Sequence, residues 1–133
     1  MTAVLATTDL VFVTGGYPIF LLEHARRSGF DRLVTDAVRD GTLAYAGMSS
    51  GAALAGPDLA IYQAPDDPGV VDTTDGPGLI NFSPLSHMNR GRQELYARIM
   101  AEHRARYEFV PMNDDQAVIV TGNTRQLRTS AIV

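Results

Sequence analysis

The chain has 133 residues, and 45% of them are apolar, which is enough to bury the core of one domain. Its net charge of −4 and its lack of cysteine exclude a basic nucleic-acid-binding face, disulfides, thiolate metal sites and a cysteine nucleophile. The sequence has no apolar run near the ~20 residues that span a bilayer and no secretory signal pattern at its start, so we expect a cytoplasmic protein that does not bind membranes.

The first half of the sequence alternates short apolar runs with amphipathic stretches, which is typical of an α/β layer protein. Leu10–Val13 is continuous and rich in β-branched residues, so it predicts a parallel strand that is buried on both faces. Two helices are predicted next, from Pro18 to Ser28 and over residues 31–40, followed by a second strand at residues 43–46.

The second half begins with residues 63–78, where prolines, glycines and aspartates follow no period and predict a long surface loop. A strand is predicted at residues 79–82, and an amphipathic helix at residues 91–106 with Leu95 on its apolar side. Further strands are predicted at residues 109–110, 117–120 and 126–133. We therefore expect one α/β domain over residues 1–133, with a mostly parallel sheet flanked by helices.

A Gly-x-Ser-x-Gly sequence, residues 47–51, follows the second strand and precedes a run of small residues. This is the spacing of a nucleophile elbow, in which a sharp strand-to-helix turn presents a serine hydroxyl above the sheet edge. Ser49 is the candidate nucleophile, and the main-chain N–H of Ser50 is a candidate oxyanion donor. Gly15 and Gly16 follow the first strand, so their turn is expected at the same sheet edge, where it can supply a second donor.

A serine nucleophile needs a general base, and the chain has three histidines. His24 and His103 fall on polar helix faces, whereas His87 follows a strand in a loop and is the better candidate. Four aspartates can supply the orienting acid by their positions in loops, or can simply form turns. They are Asp66 and Asp67 in the long loop, and Asp114 and Asp115 before the strand at residues 117–120.

Three segments together resemble the peptidase E (aspartyl dipeptidase) and cyanophycinase group, serine peptidase family S51. They are residues 10–22 with the Gly-Gly turn, residues 43–52 with the elbow, and residues 80–87 with the histidine. The resemblance covers nearly the whole chain and implies a class I glutamine amidotransferase-like, flavodoxin-like fold. Relatives carry a further βαβ-like portion before the Gly-Gly strand, so the fold is expected to be shortened at its N-terminus.

The resemblance also implies roles for individual residues. Ser49 corresponds to the nucleophile and His87 to the general base, while Gly16 and the N–H of Ser50 form the oxyanion hole. Asp114 matches the family's acidic partner, because relatives carry Glu or Asp ahead of a late strand. An acid in the loop after the elbow, here Asp66, is the alternative.

Gly15, Tyr17 and Arg90 are expected on the substrate side of the site. Tyr17 stands where the family usually has Asn, or Asp in the cyanophycinases, which argues against cyanophycin as the substrate. Ser50 replaces the usual Ala and keeps the main-chain N–H. Arg90 is a cation of the kind that an acidic dipeptide needs, although an arginine at this position is more simply explained as a solvated residue at the start of a helix.

We therefore expect a serine exopeptidase-like hydrolase of short peptides that uses a Ser-His-Asp triad and no metal or organic cofactor. The alternative is a catalytically inactive relative that acts as a binding or assembly subunit. We do not expect glutamine amidotransfer, because that chemistry uses a cysteine in related folds and the chain has none. A sheet without its first strands exposes a long edge, so we expect a homo-oligomer, most simply a dimer.

Overall fold

The computed structural model describes residues 1–132, and the chain divides after Asn81 into two units. The first unit, Met1–Asn81, contains two strands, four helices and one 3₁₀ turn. In chain order these are α1 (Thr2–Leu5), β1 (Leu10–Val13), α2 (Pro18–Ser28), α3 (Phe30–Arg39), β2 (Ala44–Gly47), α4 (Ser50–Leu54) and the 3₁₀ turn Ala60–Tyr62. The α/β class is confirmed, and the predicted strands and helices of this unit are present within one residue of their expected bounds.

Strands β1 and β2 are parallel, with Leu10 opposite Ala44 and Val13 opposite Gly47. The crossover between them is made by α2 and α3, as the alternating sequence pattern predicts. The prediction that β1 is buried on both faces is wrong, because Leu10 is 55% exposed and Phe12 is 59% exposed. Leu10 and Phe12 are two residues apart and therefore share one face of the strand, so it is this face that is exposed.

The core of the first unit lies on the apolar side of α2. Ile19, Leu22 and Ala25 of this helix are buried with Leu54 of α4 and Leu59. A fully buried Leu or Ile contributes about 1.5–3 kcal/mol of transfer free energy, so this cluster fixes α2 against α4. The helix ends at Gly29, whose φ of 76° is the left-handed conformation that glycine adopts without strain.

The long loop predicted at residues 63–78 contains no helix or strand, and it is held against α2 by polar contacts. The Asp67 carboxylate accepts the main-chain N–H groups of Ile19 (2.9 Å) and Phe20 (3.1 Å) in the first turn of α2. Further along the helix, Arg26 donates to the main-chain carbonyls of Thr73 and Asp75. The loop therefore caps and braces the helix that follows the Gly-Gly turn.

The second unit begins at Phe82 and contains a parallel strand pair, one helix and a hairpin. Its elements are β3 (Ser83–Leu85), α5 (Gln93–His103), β4 (Phe109–Pro111), β5 (Gln116–Thr121) and β6 (Thr124–Thr129). Strands β3 and β4 are parallel, and β5 and β6 are antiparallel. The hairpin turn contains Gly122, whose φ of 57° suits a tight two-residue turn.

Several sequence predictions are wrong in this unit. The strand expected at residues 79–82 lies at Ser83–Leu85, because the chain first meets β4 where Ser83 N donates to the carbonyl of Glu108. Helix α5 starts two residues later than expected, since Gly91 has a φ of 73° that interrupts a helix. The last strand ends at Thr129, and Val133 lies outside the described residues.

The apolar side of α5 also differs from the prediction. Leu95 is 42% exposed, whereas its neighbour Tyr96 is 5% exposed. The Tyr96 hydroxyl donates to the main-chain carbonyl of Ser86 at 2.5 Å, so this residue satisfies its polar group and can be buried. In the part of the chain that the structure describes, no helix combines the length and hydrophobicity needed to cross a membrane.

Candidate active site

Ser49 lies between the end of β2 and the first residue of α4, in a strained backbone conformation. Its φ is 56° and its ψ is −118°, a combination that residues with a side chain rarely adopt. Met48 N donates to the carbonyl of Val13, which extends the β1–β2 pairing by one step beyond β2. The strand ladder and the start of α4 thus hold the serine at the predicted sharp turn.

The two glycines of the Gly-x-Ser-x-Gly sequence are required by close backbone packing. A Cβ on Gly47 would overlap the carbonyl of Gly51, and a Cβ on Gly51 would overlap the carbonyl of Val13. Any side chain at either position therefore displaces main-chain atoms of the turn or of β1. This explains the spacing on which the elbow prediction depends.

Two side-chain hydroxyls fasten this turn to its surroundings, and the sequence did not predict either contact. The Tyr45 hydroxyl donates to the carbonyl of Gly51 at 2.6 Å, and the Ser50 hydroxyl donates to the carbonyl of Gly16 at 2.5 Å. Burial raises the pKa of Tyr45, so its hydroxyl stays protonated and remains a donor. The first bond ties β2 to α4, and the second ties α4 to the Gly-Gly turn.

The Gly-Gly turn lies against the serine, as the shared sheet edge predicts. A Cβ on Gly15 would lie 3.3 Å from the Ser49 Cβ and 3.5 Å from its Oγ. Gly16 has a φ of 145°, a conformation that side chains rarely permit. Ser50 is the first residue of α4, a position whose main-chain N–H has no acceptor inside its own helix.

Tyr17 follows this turn and is paired with the alternative acid. Its hydroxyl donates to Oδ2 of Asp66 at 3.1 Å, and this carboxylate raises the pKa of Tyr17, first by the hydrogen bond and then by its charge. The structure therefore brings together Ser49, Gly15 and Gly16 in the first unit. Asp66 lies beside Tyr17, and the next residue, Asp67, caps α2.

In the second unit, His87 and Asp114 are in direct contact. His87 follows β3 and Asp114 follows β4, so the parallel pairing of these strands brings the two loops together. The distance from His87 Nδ1 to Asp114 Oδ1 is 2.5 Å. His87 is held with a φ of 63°, and its side chain is 19% exposed. Asp114 is further positioned because its main-chain N–H donates to the side-chain oxygen of Asn89 at 3.0 Å.

Arg90 binds the same carboxylate from its other side. Its Nε donates to Oδ2 of Asp114 at 2.5 Å, while His87 occupies Oδ1. The hydrogen bond from His87 and, next, the one from Arg90 hold the pKa of Asp114 below its usual range. The sequence predicted Arg90 near this site, and the structure adds that its guanidinium pairs with Asp114.

The other two histidines lie in different surroundings. His24 is exposed on α2 and its ring packs edge-on against Phe20, with 4.2 Å between the ring centroids. His103 lies in the last turn of α5 with its side chain 38% exposed. Among residues 1–132, no group of three or more His, Asp or Glu side chains has an arrangement that could hold a metal ion.

A strained serine after a strand, a Gly-Gly turn against it and a His–Asp pair are the features that the sequence resemblance implies for this fold. The profile of peptidase family S51 matches residues 1–128. The chain belongs to this family. The match covers all the described helices and strands except Thr129, the last residue of β6. It therefore includes every residue assigned to the candidate site.

Two relatives and one solved structure show how far the similarity extends. The chain is 32% identical over 126 residues to an uncharacterized peptidase of Listeria monocytogenes, covering 92% of this chain and 61% of the relative. It is 26% identical over 133 residues to an uncharacterized peptidase of Pasteurella multocida, covering 96% of this chain and 63% of the relative. The chain thus spans less than two thirds of the length of these relatives.

The solved structure is a putative peptidase E protein from Listeria monocytogenes. It matches this chain with a TM-score of 0.84 and 27% sequence identity. The match covers 98% of this chain and 64% of the solved chain. The described residues therefore share the α/β fold of this solved structure over the matched part of its chain.

Proposed function

We propose that this S51 family member is a serine hydrolase that cleaves short peptides as an exopeptidase, through Ser49, His87 and Asp114. Family membership favours peptidase chemistry as a class. The triad and the preference for short peptides rest on the residues themselves and on the resemblance described above. Asp66 remains the alternative acid.

One observation carries the proposal. Among residues 1–132, Ser49 and His87 are the two residues other than glycine with a positive φ. Each such conformation costs about 1–3 kcal/mol and persists only where the surrounding structure imposes it, and such residues cluster at active sites, ligand clamps and switch regions. The two residues that the sequence assigns as nucleophile and base are therefore the two that carry this strain.

The proposed reaction follows the chemistry of these groups. Ser49 Oγ attacks the scissile carbonyl carbon while His87 Nε2 accepts the hydroxyl proton, and Asp114 holds the imidazole through Nδ1. The N–H groups of Gly16 and Ser50 stabilise the oxyanion of the tetrahedral intermediate. The protonated imidazole then gives its proton to the leaving amine. In the second half of the reaction His87 takes a proton from water, the hydroxide attacks the acyl carbon, and the proton returns to Ser49 Oγ as the acid product leaves.

The neighbours of the serine suggest where the substrate lies. Gly15 offers no side chain above Ser49, which leaves room for a peptide, and Tyr17 presents an exposed phenol beside the same turn. We propose that both residues contact the substrate. The cytoplasmic location and the homodimer expected from the sequence are proposals that accompany this function.

The decisive experiment combines covalent labelling with turnover. A fluorophosphonate probe is expected to label the wild-type protein and the control Ser28→Ala, but not Ser49→Ala, because only the activated hydroxyl attacks phosphorus. In a panel of Asp-X and other dipeptides, Ser49→Ala should lose hydrolysis by at least about a thousandfold. Hydrolysis that survives Ser49→Ala or His87→Ala unchanged would refute the mechanism.

Failure to label a folded wild-type protein would favour the second function, a catalytically inactive relative that serves as a binding or assembly subunit. The folded state is verified in the same samples by circular dichroism. If the wild-type protein is labelled but hydrolyses no peptide, the assignment of the nucleophile stands and the proposed substrate class is wrong.

A further inference from the structure

Arg90 and His87 together occupy both oxygens of the Asp114 carboxylate. Arg90 Nε donates to Oδ2 at 2.5 Å, and His87 Nδ1 lies 2.5 Å from Oδ1. These three side chains belong to the same unit, and the Asp114 main chain is fixed separately through Asn89. Each oxygen of the carboxylate thus has a side-chain partner, a charged guanidinium donor on Oδ2 and the imidazole on Oδ1.

A second donor restricts the rotation of a partly exposed carboxylate. The Asp114 side chain is 31% exposed, so water competes for Oδ2 and the carboxylate can rotate about its Cβ–Cγ bond. A rotated carboxylate leaves the His87 ring without its acceptor, and the ring then samples other orientations. The Arg90 contact opposes this rotation because a guanidinium N–H is a charged and directional donor.

The same contact also bears on whether Arg90 binds the acidic group of a substrate. Its Nε donates to Asp114, although 62% of its side chain is exposed. A guanidinium neutralised by an adjacent carboxylate attracts an acidic substrate less than an unpaired one. The pairing therefore favours a role toward Asp114 over the role of a substrate cation.

We infer that Arg90 is a positioning residue, which orients the His87–Asp114 pair by holding the second oxygen of the carboxylate, and that it does not select acidic substrates. This inference rests on the proposed function, because it assigns Arg90 a role in the same reaction. It predicts that Arg90 affects the rate of the chemical step for every substrate equally and leaves substrate binding unchanged.

Steady-state kinetics on Asp-X and Ala-X dipeptides separate the two roles. Arg90→Gln is expected to lower kcat on the order of tenfold on both substrate types with KM unchanged, since the lost bond acts on the base. Arg90→Lys should recover part of kcat, because lysine keeps the positive charge but lacks the planar, branched guanidinium donor. Arg98→Gln, an exposed arginine on α5, is the control for removing one positive charge. A rise in KM confined to Asp-X dipeptides, with kcat preserved, would overturn the inference.

A second measurement does not depend on activity. The charged groups that act on Asp114 are His87 and Arg90, and Asp115 is its neighbour in sequence. The carboxyl ¹³C signal of Asp114 should therefore titrate at higher pH in Arg90→Gln than in the wild type or Arg98→Gln. An unchanged midpoint would overturn the inference by itself, whereas an inactive wild-type protein with a shifted midpoint would instead refute the proposed function.

Discussion

Backbone strain at Ser49 and His87 is the clearest residue-scale feature of the molecule. Each strained residue lies two residues beyond the end of a strand in a parallel pair, close to the ladder of hydrogen bonds that fixes the chain. The strained turn at Ser49 also requires Gly47 and Gly51, because main-chain atoms occupy the space where a Cβ on either residue would lie. Strain of this kind is stable because the strands and helices around it form cooperatively.

Asp114 allows a residue-scale prediction about the acid. Asp114→Asn is expected to lower kcat by roughly 10²–10⁴-fold, because an amide does not hold the imidazole in the tautomer that accepts the serine proton. Steady-state kinetics of dipeptide hydrolysis measure the change, with Asp115→Asn as the matched control. If Asp66→Asn causes the large loss and Asp114→Asn does not, the assignment of Asp114 is wrong.

The lowered pKa of Asp114 also sets a pH window. A carboxyl whose pKa is lower in the folded state stabilises the fold fully above its ordinary value of 3.8, and this contribution is lost as the pH falls through the lowered value. Urea unfolding at several pH values should therefore show a wild-type advantage over Asp114→Asn that persists near neutrality and disappears at strongly acidic pH. An advantage that grows as the pH falls would contradict this sign.

Much of the candidate site could be predicted at this scale, and the omissions have a physical reason. The Gly-x-Ser-x-Gly spacing specifies the elbow because sterics demand glycine at both ends of the turn. The contacts of Ser50 with Gly16 and of Arg90 with Asp114 join residues 34 and 24 positions apart. The local sequence pattern holds no information about contacts between residues so far apart, so these contacts could be found only in the three-dimensional structure.

At the scale of elements, the loop over residues 63–78 is the main addition to the sequence prediction. Composition predicted an irregular surface segment, which is confirmed, but not that its carboxylate caps α2. Tyr17 is the N-cap residue of α2, and its side chain makes no capping hydrogen bond. Asp67, which lies 48 residues after Ile19, supplies the acceptor instead. Gly69 brings the loop against the same helix turn, where a Cβ would overlap Phe20 N.

Removing this cap should weaken the first unit. Asp67→Ala is expected to lower the free energy of unfolding by about 1 kcal/mol, because the N–H groups of Ile19 and Phe20 lose their acceptor. Urea denaturation measures the change, and Asp72→Ala, an exposed aspartate of the same loop, serves as the control. Equal stability of the two variants would show that water replaces the carboxylate without cost.

At the scale of the whole molecule, exposed apolar side chains on β1 bear on assembly. Leu10 and Phe12 are two residues apart, so their side chains lie on the same face of this strand, and they are 55% and 59% exposed. Large side chains on one face of a strand are normally covered, so their exposure favours a partner surface. Charge is also uneven along the chain, since residues 1–81 carry 10 acidic and 4 basic residues and residues 82–133 carry 5 and 7.

The homodimer expected from the sequence can be tested at this surface. Light scattering at micromolar concentration should give twice the mass of the chain, and Phe12→Asp should reduce it to the monomer mass, because the charge opposes burial of that face. Phe20→Asp, which changes an exposed aromatic residue of α2, is the control. A wild-type monomer at this concentration would contradict the expectation.

The bond from Tyr45 to Gly51 has an optical consequence. The chain has no tryptophan and five tyrosines, so phenol groups dominate its near-ultraviolet absorbance. Because burial raises the pKa of Tyr45, its phenolate band emerges only at alkalinity where an exposed tyrosine has already ionised. The residue that ties β2 to α4 is thereby also a built-in chromophore, one that reports when the turn carrying Ser49 opens to solvent.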